Sequence, residues 1–393
     1  MNTSSLRHSA GNLLVVGLEG LALSGLERAW LKTVRPGGVI LFRRNISDAA
    51  QTRALLADAA SLCAPHAFRC VDVEGGTVDR LRHALAHMPA PENVAAAHRK
   101  TSAAPSRAAK ASPRSAPSLA YEHGVLTARG IKAFGFNVTL APVLDLALPE
   151  SNGVMGSRAA GVTAEDVIAF AREFLAGLAS EGVAGCGKHF PGLGGGVNDS
   201  HIDTPRIARP WRDLWREDLA PYRELRTELP MVMVSHAAYP LTPGKDVPAT
   251  ASPFWITKTL RGRIGYRGLI FSDDLEMGGI LKFMSIEDAA IAAIRAGMDT
   301  LEICHSPELI LRAYEAILSE AERSAAFRKI LEARAKDTAR KRARMFASGV
   351  PRALTERQFE VLRGRILRFR QTVNSMVGEA DQPARNATPV ETA

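Results

Sequence analysis

Eight short apolar, largely β-branched runs recur along this chain, each followed by residues at helical spacing. They are Leu13–Leu18, Val39–Phe42, Phe68–Val73, Phe136–Leu140, Val183–Gly187, Met231–Ser235, Leu269–Ser272 and Thr300–Cys304. Between them lie helical stretches such as Asp48–Ala60, Ala164–Glu181, Trp211–Glu228 and Ser285–Ala296. The last opens on Ser285 with Asp288 three residues on, a start like a capping box with Asp in place of Glu or Gln. Strand–helix alternation repeated eight times predicts an α/β fold, a parallel sheet closed into a (β/α)8 TIM barrel. The rival is an open doubly wound sheet. It wants Gly-x-Gly-x-x-Gly after the first strand, and Leu18-Glu19-Gly20-Leu21 does not supply it.

The rhythm sets the domain boundaries. Residues 11–345 read as one catalytic barrel interrupted at 95–117, a segment rich in Ala, Ser, Pro, Lys and Arg that predicts a basic, flexible surface insertion. Beyond Met345 the strands stop. Residues 346–377 read as a C-terminal helical extension built on Glu356–Val373, and residues 378–393 as a disordered tail.

Composition removes several function classes. With 46% hydrophobic and 23% charged residues the chain has ample material for a core. No apolar run nears the roughly 18 residues that span a bilayer, so no membrane insertion is expected. The N-terminus lacks a signal-like apolar region with a cleavage site, and the four cysteines show no Cys-x-x-Cys spacing. A reduced, cytoplasmic protein is the simplest expectation. The net charge of +9 gathers in the insertion and in a late Lys/Arg-rich helix, without aromatic interleaving or a nucleic-acid motif. No nucleic-acid partner is therefore expected, although an anionic substrate suits the charge.

A barrel of this kind carries its active site at the C-terminal ends of the strands, and polar residues gather there in this chain. The third strand ends in Asp72-Val73-Glu74-Gly75-Gly76 and the fourth runs into Asp145. The fifth ends in Lys188-His189, the sixth in Ser235-His236, the seventh in Ser272-Asp273-Asp274 and the eighth in Cys304-His305. A single carboxylate at a strand end is commonly a helix N-cap. Six polar strand ends together point to an enzyme. The fifth is followed by a loop with glycines at 192, 194, 195 and 196 that closes on Asp199-Ser200-His201. Such loops carry function, and Asp199 is close enough in sequence to orient the His201 imidazole. The plainer reading is a solvated turn with a chance Asp-x-His.

Metal-assisted hydrolysis would want His-x-His or His-Glu-x-x-His, and neither is present. His189, His201 and Asp273 remain as conceivable ligands. A phosphate site would want a Gly-rich turn opening directly into a helix, whereas these glycines run into Asp199. A nucleophilic carboxylate paired with a separate proton donor fits better, as in retaining glycoside hydrolysis, where the two groups lie about 5 Å apart.

Three stretches, VDVEGGTVDRLR (71–82), GKHFPGLGGGVNDSHIDTP (187–205) and GLIFSDDLEM (268–277), together resemble the glycoside hydrolase family 3 β-N-acetylhexosaminidases of bacterial peptidoglycan recycling. Supporting stretches at 37–46, 136–146 and 292–308 extend the resemblance over residues 11 to 320. It implies a retaining exo-β-N-acetylglucosaminidase that needs no cofactor or metal. Asp273 would be the nucleophile, with Asp274 structural because it faces differently along the chain. His201 would be the acid/base, tuned by Asp199. Asp72, Arg80, Arg158, Lys188 and His189 match positions that bind the sugar hydroxyls. By residue type alone, Arg80 and Arg158 would read as surface ion-pair formers. The implied partner is a small carbohydrate or muropeptide, N-acetylglucosamine linked to anhydro-N-acetylmuramic acid with or without peptide, and the implied state a monomer.

The chain departs from the family pattern at Leu193, where His is common, at Arg158-Ala159-Ala160-Gly161, where an aromatic is favoured before the Gly, and at Thr77 in place of a common Arg. These positions bear on substrate preference more than on catalysis. Rival readings are a family 3 β-glucosidase, a glycoside phosphorylase, and an inactive sugar-binding barrel. The last should have lost one of Asp273, Asp199 or His201, and all three are present.

Overall fold

The computed structural model describes residues 3–103, 117–151, 155–196 and 204–378. Eight parallel strands close in sequence order: β1 (Leu14–Gly17), β2 (Gly38–Leu41), β3 (Phe68–Val71), β4 (Val138–Thr139), β5 (Ala184–Phe190), β6 (Met231–Val234), β7 (Leu269–Asp274) and β8 (Thr300–Ile303). Each lies within or across one of the eight apolar runs. The period of two explains why the runs are apolar throughout. Val15, Ile40, Met231, Met233 and Phe271 fill the barrel interior, while Leu14, Val16, Val39, Leu41, Val232 and Ile270 pack outward under the helices. Apart from Asp273 and Asp274 at the end of β7, the strands are buried on both faces, as a parallel sheet requires.

The N-terminal end of the barrel is plugged. Arg342, on the helix Ala325–Met345, is buried there, donates to Asn12 at 2.7 Å and lies 5.4 Å from the centre of the Phe68 ring. Phe346 packs edge-on against Phe68. That leaves the opposite end open for chemistry.

Helix starts follow the side-chain caps. Asp48 caps Ala49–Leu62, Thr163 caps Ala164–Ser180 and Ser285 caps Ile286–Ala296. At Ser285 the hydroxyl accepts from the Asp288 backbone N–H and donates to the Asp288 carboxylate. The shorter Asp thus engages the cap hydroxyl instead of reaching back to the backbone as Glu would. The stretch Trp211–Glu228, expected as one helix, is two: Trp211–Arg216 and Ala220–Glu224. Pro221 has no N–H to give and its ring would crowd the carbonyl four residues back, so it serves in the first turn of the second helix.

Two further elements bear on the expected boundaries. The helix Pro91–Ala103 takes the first nine residues of the expected insertion, because Val94 and Ala97, three apart, are fully buried. Residues 104–116 lie outside the described residues. The C-terminal extension forms a helix at Glu356–Val377, longer than expected, with Leu362, Ile366, Phe369 and Val373 buried. It packs against the helices Pro91–Ala103 and Leu119–Ala133. The tail beyond Gly378 lies outside the described residues.

Candidate active site

The C-terminal ends of the strands surround one cleft, lined by Asp72, Arg80, Arg158, Lys188, His189, Asp273, Asp274 and Glu302 among others. Of the eight sequence-predicted site residues the structure therefore brings six together. Asp199 and His201 lie outside the described residues.

Local irregularities put these side chains there. Between β5 and β6, Gly187 pairs with Val232 but Phe190 pairs with Val234, so three steps of β5 match two of β6. The extra residue is a bulge, and it lets consecutive Lys188 and His189 both face the cleft, which a regular strand forbids. The same happens between β7 and β8, where Phe271 pairs with Thr300 and Asp274 with Glu302. Asp273 and Asp274 consequently both border the cleft, contrary to the expectation that Asp274 faces elsewhere. Their engagements still differ. Asp274 accepts the backbone N–H groups of Glu276 at 3.0 Å and Cys304 at 3.2 Å, which ties it to the chain around it. Asp273 accepts from the Asp274 N–H at 3.0 Å.

A hairpin follows β3, with Val73–Gly75 paired to Val78–Asp79. Its turn needs positive φ at Gly75 and Gly76, +98° and +62°, which glycine adopts freely. It presents Glu74 inward and Arg80 just beyond. Glu74 receives a bidentate fork from Arg158, with Nε at 2.8 Å and Nη2 at 2.9 Å, and the Lys188 ammonium at 2.6 Å. Lys188 also donates to Asp72 at 2.8 Å, and Arg80 lies 4.0 Å from Asp72. All five side chains are nearly inaccessible, so Arg80 and Arg158 are buried ion-pair partners and not surface groups.

Burial would push the Glu74 carboxyl up, but Arg158 and Lys188 outweigh it and hold the group well below the usual carboxylate range. For Lys188 burial works against the charge, and Asp72 and Glu74 overcome it, raising the ammonium above its ordinary value. The result is a rigid lattice of charged donors and acceptors. Sugar hydroxyls suit such a lattice, since each both donates and accepts.

His189 is oriented by Asp145. Its Nδ1 sits 2.6 Å from Asp145 Oδ2, and Asp145 Oδ1 accepts the Leu193 N–H at 2.7 Å. Asp145 thereby fixes both a cleft imidazole and the start of the glycine-rich loop. Leu193 is itself a cleft residue. Tyr239 further anchors the loop by donating to the Gly192 carbonyl at 2.7 Å. Just beyond β6, His236 is held between Thr250 and the Asp274 carbonyl, both at 2.8 Å.

Sequence reasoning left Glu74 and Asp145 among the polar strand ends without assigning them. For Glu74 the available signal was its spacing of two from Asp72, which puts both on one side of an extended chain. Glu302 gave only a lone Glu inside an apolar strand, which is itself unusual.

For a metal, Asp274, Glu276 and His305 bring one ligand-type atom each within 4.8 Å of one another. Several of these atoms are already engaged by the chain. Glu276 accepts the backbone N–H groups of Cys304, His305 and Ser306, and the Arg44 guanidinium lies 3.1 Å from His305 Nδ1. The donor set reads as an anchor for the segment after β8.

The profile of the Glycosyl hydrolase family 3 N terminal domain matches residues 5–337. A beta-hexosaminidase from Alkalilimnicola ehrlichii is 39% identical over 298 residues, 76% of this chain and 82% of that protein. Among solved structures, a glycoside hydrolase family 3 beta-N-acetylglucosaminidase from Paenibacillus sp. FPU-7 superposes with a TM-score of 0.80 at 30% identity, over 93% of this chain and 68% of that one. NagZ from Neisseria gonorrhoeae in complex with N-trifluoroacetyl-D-glucosamine gives 0.72 at 28% identity, over 91% and 98%. With a barrel of this topology, a charged cleft at its C-terminal end and a family profile matched along most of its length, the chain belongs to glycosyl hydrolase family 3.

Proposed function

We propose that the protein is a retaining exo-β-N-acetylglucosaminidase acting through a covalent glycosyl-enzyme on Asp273. The observation that carries this reading is the position of Asp273: a carboxylate on the cleft wall, opposite a preassembled set of hydroxyl-binding groups. Relatives named beta-hexosaminidase, and a structural neighbour holding an N-acylated glucosamine analogue, support the sugar.

In the first step an Asp273 oxygen attacks the anomeric carbon and the glycosidic C–O bond breaks. The leaving oxygen takes a proton from the His201 imidazolium, which Asp199 stabilises. In the second step water attacks the same carbon, gives its proton to the now neutral His201, and releases Asp273. Asp72, Arg80, Arg158, Lys188 and His189 hold the sugar in register, and binding energy from these remote hydroxyl contacts steers the anomeric carbon onto the nucleophile. The natural substrate on this reading is N-acetylglucosamine β-linked to an anhydro-N-acetylmuramic acid, with or without peptide, met in the cytoplasm by a monomer. Arg44 and Arg80 flank the Phe42 ring at 4.7 and 5.5 Å, a pair of cations suited to an acidic aglycone. Among the described residues no helix is long and apolar enough to cross a membrane.

Turnover of nitrophenyl β-N-acetylglucosaminide and of the matching glucoside, with and without phosphate, tests the proposal. The acetylated sugar should be preferred by at least about tenfold, with no acceleration by phosphate. Preference for the glucoside, or a phosphate-dependent rate, would overturn it.

A further inference from the structure

Glu302 is the cleft group that the proposed mechanism leaves unused. It lies in β8, where Leu301 and Ile303 point out to the helix-facing core and Cys304 points into the barrel interior. The alternation turns Glu302 inward, and the residue lines the cleft. The residue is 2% exposed, and among the described residues its Oε1 has no hydrogen-bond partner. A buried carboxyl oxygen without a partner is costly unless a ligand or water completes it.

The charges around it favour one protonation state. Asp72 faces it from the end of β3, Asp273 and Asp274 from β7, and Lys188 from β5. Lys188 is already held by Asp72 and Glu74. The remaining neighbours are the buried thiols of Cys70, Cys186 and Cys304 and the apolar side chains of Ile40, Leu140 and Met233. Burial holds the Asp274 carboxyl itself well above its usual range, so Asp72 and Asp273 are the nearby anions, and with the one ammonium already committed they disfavour a further negative charge. Burial first, and then Asp72 and Asp273, push the Glu302 carboxyl well above its usual range.

We propose that Glu302 is a further substrate-contacting residue of this cleft, presenting a carboxyl O–H that donates to a hydroxyl of the bound sugar. A neutral carboxyl both donates and accepts, whereas Arg and Lys only donate and a carboxylate only accepts. It therefore completes a hydroxyl that the charged lattice satisfies on one side only. It also adds no anion beside the nucleophile. The inference rests on the sugar-binding reading of the cleft.

Calorimetric titration of N-acetylglucosamine into wild type, Glu302→Gln and Glu302→Leu tests it, with melting temperatures as the control for folding. Gln keeps a donor and an acceptor at the same reach and cannot ionise, so its affinity should stay within about threefold of wild type. Leu removes both and should weaken binding about tenfold. Raising the pH should weaken wild type relative to Glu302→Gln, because ionisation removes the donor and adds a repelled charge. Equal binding by the Leu variant and wild type would overturn the inference. So would equal weakening in folded Gln and Leu variants, or a wild-type-to-Gln ratio that ignores pH. Failure of wild type to bind N-acetylglucosamine at all would instead overturn the sugar-binding reading, and this inference with it.

Discussion

Two buried cations, Arg158 and Lys188, share the carboxylate of Glu74, and removing that charge strands both. Replacement Glu74→Gln keeps the shape and deletes the charge. It should lower stability by about 3–5 kcal/mol at neutral pH, the usual cost of breaking a buried pair from one side. Denaturant unfolding checks this, and the pH dependence has a definite sign. The folded Glu74 carboxyl sits below its unfolded value of about 4.3, so its contribution is complete above that pH and is lost as pH falls toward the folded value. The gap between wild type and Glu74→Gln should therefore narrow in acid. A gap that stays constant or widens would contradict the pairing. At this scale the sequence was legible only in part. Arg158 and Glu74 are 84 residues apart, and nothing in residue type says that an Arg will be buried against a Glu so distant. Arg80 and Arg158 rose above ordinary surface arginines only through the motifs around them.

At the scale of elements the eight strands were legible because a strand buried on both faces must be apolar throughout, and turn-separated apolar runs of that length have few other uses. Helix boundaries followed the caps at Asp48, Thr163 and Ser285. The misreadings have local causes: Pro221 divides what periodicity joined, and burial of Val94 and Ala97 overrides a composition that looked flexible. The bulges in β5 and β7 were not legible. Without them Lys188 and His189, or Asp273 and Asp274, would point to opposite faces, so the site's most informative dipeptides depend on a feature that alternation cannot reveal. The glycine-rich loop shows how an element is held at its base, by Asp145 on the Leu193 N–H and by Tyr239 on the Gly192 carbonyl. Tyr239→Phe removes the second bond together with the contact between the same hydroxyl and the Ser235 side chain, and leaves the buried Gly192 carbonyl unpaired. It should cost about 1 kcal/mol of stability and lower kcat more than it raises KM. Steady-state kinetics beside a melting curve would show this, and an unchanged kcat would mean the anchor does not serve the loop.

The whole molecule divides its labour along the barrel axis. The N-terminal end is closed by Arg342, Phe346 and the Phe68 ring, and contributes to stability. The C-terminal end gathers Asp72, Arg80, Arg158, Lys188, His189, Asp273 and Glu302 around one cleft. Strand order, parallel closure and the location of the site all follow from the strand–helix period and the known polarity of such barrels. The reaction follows less directly, as a proposal from the Asp273 carboxylate in a cleft of charged donors and acceptors and from family membership. The central claim is that Asp273 becomes covalently bonded to the sugar. The direct test is to trap that species with a 5-fluorinated β-N-acetylglucosaminyl fluoride, which slows the second step, and to map the label by peptide mass spectrometry. The account predicts one sugar per chain, on the peptide that carries Asp273, and none in Asp273→Ala. A label on Asp274 or elsewhere, or turnover surviving in folded Asp273→Ala, would contradict it.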